Sequence, residues 1–283
     1  MKILVLGGSG MAGHTIVLYF QERGYNVTAF TRKPFHLCEN IVGDASDFER
    51  LGSVLRSGHY DVIINCIGIL NQFAENNPMQ AKVLNTNLPH FIADSIKKLP
   101  CKLIHMSTDC VFAGNTGPYK ENSVKDGQSI YDITKAEGEI VDNKNLTFRN
   151  SIIGPDLKKE GIGLFNWFMK QDGSIQGYSS AIWTGVTTLT LAKAMEAAIL
   201  QNLSGLYNLV NNESISKYAL LNLFKDTFGR SDINIIKSDK LHLDKTLIST
   251  RNDFSFIVPS YPNMITEMKE WIDTHSYLYP HYY

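Results

Sequence analysis

The sequence is poor in cysteine and nearly neutral in charge, and both features exclude classes of protein. Its four cysteines, at positions 38, 66, 101 and 110, form no C-x-x-C pair, which argues against a metal site or a disulfide framework and favours a reducing compartment. The 27 Lys and Arg residues and the 28 Asp and Glu residues give a net charge of −1, without a dense basic run. We therefore expect no nucleic-acid partner and no metal.

Long apolar runs are also missing. No stretch approaches the roughly eighteen apolar residues that a membrane span needs, and the short apolar run before the first glycines lacks the length and cleavage site of a signal peptide. Repeats, low-complexity tracts and flexible linkers are absent as well. A hydrophobic content of 43% over 283 residues is enough for a large core. The sequence thus predicts a soluble cytoplasmic protein that binds no membrane.

Short runs rich in Val, Ile and Leu alternate with helical patterns in the first half of the chain. Continuous apolar runs are typical of parallel strands that are covered on both faces. The predicted strands are Ile3–Leu6, Asn26–Phe30, Asp61–Ile67, Lys102–Met106 and Leu146–Ile152. A first helix ends near Gly24, and a longer helix over 77–98 is expected to kink at Pro89, which lacks a backbone donor. This alternation predicts an α/β fold with a Rossmann-like, doubly wound parallel sheet.

The alternation loosens after Gly154, where aromatic and loop-rich segments follow. We expect a dinucleotide-binding domain over 1–155, to which 181–211 returns, and a smaller C-terminal substrate-binding lobe over 156–180 and 212–283. The closing aromatic stretch HSYLYPHYY is predicted to be a surface tail.

The first strand runs straight into Gly7-x-x-Gly10-x-x-Gly13, which opens the first helix. In such a unit Gly7 allows the tight turn, Gly10 lets a pyrophosphate approach the backbone, and Gly13 lets the helix pack closely on the strand. The helix N-terminus supplies free N–H groups and a partial positive charge. A turn that merely needs small residues is the competing explanation, and the placement after the first strand favours a dinucleotide site.

The end of the second strand reads AFTRKP and contains no carboxylate. An enzyme that prefers NAD usually has Asp or Glu at this point to accept from the ribose 2′-hydroxyl. Thr31, Arg32 and Lys33 stand there instead, and the two cations can pair with a 2′-phosphate. Two solvated surface charges are the alternative. The sequence favours NADPH as the cofactor, with NADH as the second choice.

The stretches IHMSTDCVFAG and YDITKAEGE carry the candidate chemistry. Tyr131 and Lys135 are four residues apart, so they share one face of a helix. A neighbouring ammonium is expected to lower the pKa of a tyrosine toward the working range, and Lys135 can also bond the nicotinamide ribose. Thr108, after a buried strand, can hold the reacting oxygen from the other side. A pair on a solvated helix surface is the competing explanation.

Several stretches together resemble the extended short-chain dehydrogenase/reductases. They are the glycine turn, NCIG at 65–68, LNTNLP at 84–89, STDCVF at 107–112, Tyr131-x-x-x-Lys135 and FRNSIIGP. Within that family the chain looks most similar to the dTDP-4-dehydrorhamnose reductase type, for which STD-x-VF is the more specific mark. The resemblance covers residues 1–155 strongly and continues loosely through WTGVTTLTLAKAM.

The resemblance implies roles for the matching residues. Thr108, Tyr131 and Lys135 match the catalytic threonine, tyrosine and lysine. Together with the cations described above, the expected cofactor-binding residues are Gly7, Gly10, Met11, Ala12, Gly13, Thr31, Arg32, Lys33, Asp44, Ala45, Cys66, Ile67, Gly68, Asn85, Tyr131 and Lys135. The expected substrate-binding residues in the matching part are Thr108, Asp109, Cys110 and Asn150, with Asp109 in contact with the sugar.

Two departures from the family pattern concern the substrate. The family often has an aromatic residue where Cys110 stands, and it often has Trp in the stretch where Ile152 and Ile153 occur. We expect replacement stacking surface from Trp167 or Trp183, although a buried place in the core of the smaller lobe is an equally good explanation of either ring.

The diphosphate of a nucleotide sugar also needs a cation. Lys245 and Arg251, both in the predicted substrate-binding lobe, are the candidates.

The expected activity is NADPH-dependent reduction of the C4 keto group of a nucleotide-activated 4-keto-6-deoxyhexose, in deoxysugar biosynthesis for surface polysaccharide. The partner is thus a nucleotide-sugar substrate, and the oligomeric state is open, with a homodimer as the candidate. A nucleotide-sugar 4-epimerase or epimerase/reductase is the alternative, because the same Tyr–Lys pair can oxidise and re-reduce a sugar carbon. A non-catalytic, cofactor-binding regulatory relative is a second alternative, since a fold does not guarantee chemistry.

Overall fold

The computed structural model describes the whole chain from Met1 to Tyr283, and it consists of strands and helices that alternate through the first half. The strands are β1 (Lys2–Leu6), β2 (Asn26–Thr31), β3 (Glu39–Val42), β4 (Val62–Asn65), β5 (Lys102–Ser107), β6 (Leu146–Arg149), β7 (Ser151–Ile153), β8 (Gly173–Tyr178), β9 (Ala181–Trp183), β10 (Gly185–Thr187), β11 (Gly205–Asn208), β12 (Ile215–Ser216), β13 (Ile233–Ser238) and β14 (Leu243–Asp244). The helices are α1 (Met11–Glu22), α2 (Phe48–Ser57), α3 (Asn71–Asn76), α4 (Pro78–Ala81), α5 (Leu88–Ser95), α6 (Ile130–Glu137), α7 (Leu164–Met169), α8 (Thr188–Leu200), α9 (Lys217–Thr227) and α10 (Tyr261–Thr274).

A seven-stranded sheet forms the centre, in the order β11-β6-β5-β4-β1-β2-β3, and all of its neighbouring pairs are parallel. Successive residues of β1 enter different cores: Ile3 and Val5 pack on one face, and Leu4 packs on the other. This is the reason why β1 reads as a continuous apolar run. The predicted doubly wound parallel sheet is confirmed, and its strand order changes direction at β1, beside β4.

Two strand predictions differ from the structure. The strand β3 was not predicted, because its residues are exposed or half-buried and form no apolar run. The single strand expected over Leu146–Ile152 is divided at Asn150 into β6 and β7, and β7 pairs with β10 instead of continuing in the central sheet.

The predicted long helix over 77–98 is interrupted. A π-helical turn over Lys82–Asn87 separates α4 from α5, immediately before Pro89. Such wide turns are single-turn insertions in helices and are frequent at functional sites. Here the turn lies against the end of α6: a Cβ on Gly138 would stand 1.9 Å from the carbonyl oxygen of Asn85.

The second half of the chain adds two small sheets. One pairs β8 with β13, and the other places β9 between β12 and β14. Within 181–211, the strand β11 joins the central sheet, whereas β9 pairs with β12 and β14 of the C-terminal part. The division of labour between the two parts stays a prediction.

The closing stretch is not a surface tail. Tyr279 is fully buried, and its hydroxyl lies 2.8 Å from Nε2 of His14 in α1. The Tyr282 hydroxyl accepts from the backbone N–H of Asp156 at 2.8 Å and donates to Asn166 Oδ1. Tyr279 thus packs against α1, and Tyr282 supports the loop after β7, whereas Tyr277 and Tyr283 are exposed. None of the helices has both the length and the apolar character needed to cross a bilayer.

Candidate active site

A cleft of about 640 Å³ lies at the carboxyl ends of β1, β4, β5 and β6. This is the edge of a doubly wound sheet at which ligands bind, because the strand order changes direction there. The predicted site residues in its wall are Gly10, Met11, Ala12, Cys66, Ile67, Gly68, Thr108, Asp109, Cys110, Tyr131, Lys135 and Asn150. The fold thus brings together most of the predicted cofactor, catalytic and sugar-contacting residues.

The glycine turn has the geometry that a dinucleotide pyrophosphate needs. Gly7 has φ +80°, in the left-handed region, and a Cβ on Gly13 would stand 2.2 Å from the Gly7 carbonyl oxygen. A Cβ on Gly10 would meet only that oxygen, at 3.4 Å, so this face of the turn is open to the cleft. The helix α1 begins without a side-chain cap or an acidic residue in its first turn. Its free N–H groups therefore fit an anion.

The predicted adenosine end lies beyond β2 and β3. Arg32, Lys33 and Asp44 are exposed there. Hydrogen bonds from Ser46 lower the pKa of Asp44, and the Arg32 charge lowers it further. Thr31 and Ala45 are buried, and the Thr31 hydroxyl donates to the Lys33 carbonyl at 2.7 Å. Thr31 therefore shapes the turn that presents the two cations.

Asn85 does not reach the cleft. Its Oδ1 accepts from the Ile69 N–H at 2.8 Å, and its Nδ2 donates to the Ile69 carbonyl at 2.9 Å and to Thr134 Oγ1 at 3.1 Å. Both amide protons are thus used by the protein. The prediction that Asn85 binds the cofactor is corrected: the π-helical turn places this amide where it joins the loop after β4 to the helix α6.

Tyr131 and Lys135 lie on one face of α6 and are both buried. A capping box of Ser129 and Asp132 fixes the start of this helix. The Lys135 Nζ donates to the Met106 carbonyl of β5 at 2.6 Å. Tyr131 and Lys135 thus stand at the end of β5, directly before Thr108.

The charge states at this point differ in part from the prediction. Burial raises the pKa of Tyr131 well above its ordinary value, and only the Thr108 hydroxyl opposes this among the side chains in contact with it. Burial also lowers the pKa of Lys135 to about 8, while the Glu139 charge raises it. The expectation that the ammonium brings the phenol toward neutral pH is wrong here. The site holds a neutral phenol, which is the form that donates a proton.

A buried charge network lies behind the catalytic strand. Glu139 receives two bonds of 2.8 Å from Arg149, one of 2.7 Å from the Ser107 hydroxyl and one of 3.2 Å from Lys125. Burial is the largest single influence on Glu139 and raises its pKa. The bonds together outweigh burial, so the pKa lies below its ordinary value. A buried carboxylate with this many donors is charged, and it holds the end of β5 against α6.

Asp109, Cys110 and Asn150 are predicted to bind the substrate, and all three line the cleft. Burial raises the pKa of Asp109, and bonds from Ser151 and Thr108 and the charge of Lys245 oppose it. The Oδ1 of Asn150 is buried and has no hydrogen-bond partner within the protein. An unpaired buried acceptor in a cleft wall fits a ligand donor such as a hydroxyl. Burial also raises the pKa of the Cys110 thiol to about 12, so this residue is not a nucleophile.

Three predicted substrate residues lie outside the cleft. Trp183 is 8% exposed and packs against Tyr261, with ring centroids 5.8 Å apart, so it belongs to the core. Trp167 is 42% exposed on α7 and is absent from the cleft wall. Arg251 donates to the carbonyls of Ser204 and Leu206, at the amino end of β11 and therefore at the opposite edge of the sheet. The predictions for Trp183 and Arg251 are corrected, and that for Trp167 stays a prediction.

Lys245 is placed differently from Arg251. It lies beside Gly114, where a Cβ would meet its Cγ at 2.8 Å, and its charge acts on Asp109 and Cys110. It is next to the cleft without being part of its wall.

Two segments of the wall were missed by the sequence analysis. One is 70–73, after β4, and the other is 156–163, after β7, which carries Asp156, Lys158 and Glu160. Both follow strands that end at the same edge of the sheet. The rule that ligands bind at the carboxyl edge could have identified them without any motif.

The comparisons with known proteins agree with this geometry. A sequence model of the RmlD substrate binding domain matches residues 1–242. The chain is 32% identical over 138 residues to the dTDP-4-dehydrorhamnose reductase of Streptomyces griseus, which covers 48% of this chain and 43% of that protein. It is 23% identical over 246 residues to the methionine adenosyltransferase 2 subunit beta of Xenopus laevis, covering 81% of this chain and 72% of that one. The chain thus spans less than half the length of the reductase that it matches.

A solved structure extends the likeness to the fold. The dTDP-4-dehydrorhamnose reductase of Bacillus anthracis in complex with NADP superposes with a TM-score of 0.81 at 18% identity, covering 95% of this chain and 99% of that one. The family resemblance inferred from the motifs is confirmed at this level. Because the sequence model spans most of its length, this chain belongs to the RmlD substrate binding domain family.

Proposed function

We propose that this protein reduces the C4 keto group of a nucleotide-activated 4-keto-6-deoxyhexose, with NADPH as the reductant. The observation that carries the proposal is the convergence of Thr108, Tyr131 and Lys135 on one cleft with the open glycine turn. The sugar would be destined for surface polysaccharide. NADPH, when bound, supplies a hydride to the carbonyl carbon.

The side chains of the chain have distinct tasks in this reaction. The phenol of Tyr131 is neutral, so it can donate its proton to the oxygen of the former carbonyl. Thr108 lies beside that phenol. Its hydroxyl donates to Asp109 Oδ1 at 3.1 Å in the structure, and it would turn from this partner to donate to the same substrate oxygen. The Lys135 ammonium is held by the Met106 carbonyl. Its positive charge stabilises the phenolate that Tyr131 becomes when it gives up its proton.

The residues that would hold the cofactor extend from the glycine turn to the end of β2. The N-terminus of α1 would bind the pyrophosphate, and the backbone at Cys66, Ile67 and Gly68 would lie along the nicotinamide half. Arg32 and Lys33 would bind a 2′-phosphate. Support for NADPH comes from the exposed position of these two cations and from the NADP complex of the Bacillus anthracis reductase.

The second candidate is a regulatory subunit without turnover. The similarity to the methionine adenosyltransferase 2 subunit beta favours it, because that alignment covers more of the chain than the alignment with the Streptomyces reductase does. The complete Thr108, Tyr131 and Lys135 set favours the reductase. The 4-epimerase alternative has no observation of its own in this structure, and it would need no added NADPH.

One assay separates these functions. The purified protein is incubated with dTDP-, UDP-, GDP- and CDP-linked 4-keto-6-deoxyhexoses, and the loss of NADPH absorbance is followed. Consumption of NADPH in proportion to sugar supports the reductase. Interconversion of sugars without NADPH consumption would indicate an epimerase, and a protein that binds NADPH but turns over none of the sugars would favour the regulatory function.

A further inference from the structure

Phe73 is the most unusual apolar residue of the cleft wall, because 66% of its surface is exposed. Phenylalanine is ordinarily buried, because an apolar ring exposed to water loses the free energy that its burial would give. A ring that is exposed in the wall of a cleft, and not scattered on the outer surface, is a surface for a ligand. The structure holds this ring in place through the helix that carries it.

The short helix α3 is fixed to the catalytic helix. It begins at Asn71, whose φ of +39° is a positive value that asparagine tolerates better than most residues. Ala74 is buried in one apolar cluster with Tyr131. The Glu75 carboxylate accepts from the Ile130 N–H at 2.7 Å, at the first turn of α6. Phe73 therefore lies on a short helix that is held against α6, the helix of Tyr131.

The position of α3 identifies the part of the substrate that it faces. The reacting carbonyl must come within hydrogen-bond distance of Tyr131. Phe73 directly precedes Ala74, which packs with that tyrosine, so the hexose is nearer to α3 than the base, which lies beyond the diphosphate. The wall over 70–73 contains no charged residue, whereas the wall over 156–163 does. The wall over 70–73 thus suits an apolar part of a ligand.

We propose that Phe73 and Leu70 cover the apolar, methyl-bearing face of the hexose. This assignment rests on the proposed reductase function and adds a specificity-determining pair to it. It supplies the aromatic surface that was expected from Trp167 and Trp183, in a family member that has Cys110 and Ile152 where aromatic residues often stand. A 6-deoxyhexose offers a methyl group and a row of C–H groups, which gain from contact with an aromatic face.

The test compares Phe73→Ala with wild type and with Met79→Ala, a matched control whose side chain is 84% exposed and lies outside the cleft wall. Three constants are measured: KM for dTDP-4-dehydrorhamnose, the inhibition constant of dTDP, and Kd for NADPH from its fluorescence. We expect Phe73→Ala to raise KM about tenfold, which corresponds to the loss of one apolar contact. The dTDP and NADPH constants should stay within about twofold, and Phe73→Tyr should restore KM.

Each other outcome overturns the assignment. A parallel rise in the dTDP constant would place the base on Phe73, and a rise in the NADPH Kd alone would place the cofactor there. An unchanged KM, or a change of oligomeric state in size-exclusion chromatography, would mean that the ring serves no sugar. A wild-type protein inactive with all four nucleotide sugars would overturn the proposed function together with this assignment, whereas an active wild type with an unaltered Phe73→Ala overturns the assignment alone.

Discussion

The two walls of the cleft are built in different ways. The first wall is formed by the glycine turn, α3 and α6, whose side chains are fixed by buried contacts such as the Lys135–Met106 bond of 2.6 Å. The second wall is the loop over 156–163, which carries exposed charges and is braced from below by Tyr282. Groups that must be held within fractions of an ångström lie on rigid elements, and groups that meet a mobile charged ligand lie on a loop. The rigid wall thus holds the groups proposed for the chemistry together with the apolar pair Leu70 and Phe73, and the loop wall carries charges.

Removing the proton donor of the rigid wall should have the largest effect. We expect Tyr131→Phe to lower kcat by roughly 10²–10⁴-fold, because the phenol is the proposed proton donor. The Kd for NADPH and the melting temperature should change little, because the ring is kept. Tyr218→Phe, on α9 and away from the cleft, is the control. A Tyr131→Phe variant with near-normal kcat would mean that the proton comes from another group.

The second prediction concerns Arg32 and Lys33, the two cations after β2. We expect Arg32→Ala combined with Lys33→Ala to raise the Kd for NADPH by about 10–100-fold, because charge-assisted bonds to a phosphate are lost. The Kd for NADH should stay within about twofold, since NADH has no 2′-phosphate. The double change Lys97→Ala with Lys98→Ala, before β5, removes two exposed cations at the other edge of the sheet. Equal affinity of the wild type for both cofactors would contradict the assignment.

The charge on Lys135 should make the rigid wall sensitive to pH. Its pKa is about 8, so the ammonium loses its proton as the pH rises through that value, while Tyr131 stays neutral. We expect kcat/KM to be highest below about pH 8 and to fall up to about tenfold for each pH unit above it. Glu139→Gln removes a charge that raises this pKa, so the fall should begin at lower pH.

Glu137→Gln is the control for this shift, because Glu137 is exposed on the same helix. An identical high-pH limb in wild type and Glu139→Gln would show that Lys135 does not set the profile.

The smallest effects should come from the two cations that were expected to clamp the diphosphate. Lys245→Ala should raise KM for the nucleotide sugar by about 3–10-fold, because its charge reaches Asp109 at the edge of the cleft. Arg251→Ala should leave KM unchanged and lower the melting temperature, because its bonds to Ser204 and Leu206 are structural. If Arg251→Ala raised KM more than Lys245→Ala does, Arg251 would be a substrate-binding residue after all.

The sequence was informative wherever a feature depends on nearby residues. The apolar runs predicted five strands of the sheet, and the spacing of Gly7, Gly10 and Gly13 predicted a turn whose clearances leave no room for a Cβ at Gly13. The i, i+4 relation of Tyr131 and Lys135 placed both side chains correctly, because a helix fixes that geometry.

The failures share one physical cause, which is packing between distant segments. Trp183 and Arg251 have side chains that could bind a ligand. In the fold, Trp183 packs against Tyr261, and Arg251 bonds the backbone carbonyls at the start of β11. Asn85 was assigned to the cofactor, although a π-helical turn that no local pattern indicates directs it to Ile69. The pKa of Tyr131 also follows from burial by the whole fold and could not be read from its neighbour at i+4.

The bond between His14 and Tyr279 joins positions that are 265 residues apart. Because synthesis runs from the N-terminal side, the glycine turn is made long before the aromatic stretch that supports it. Contacts of such long sequence separation close late, because the loop between them must be ordered first. The glycine turn is thus made well before the segment that completes its packing, so a chain truncated before Tyr279 would present a sheet whose carboxyl edge is not fully packed.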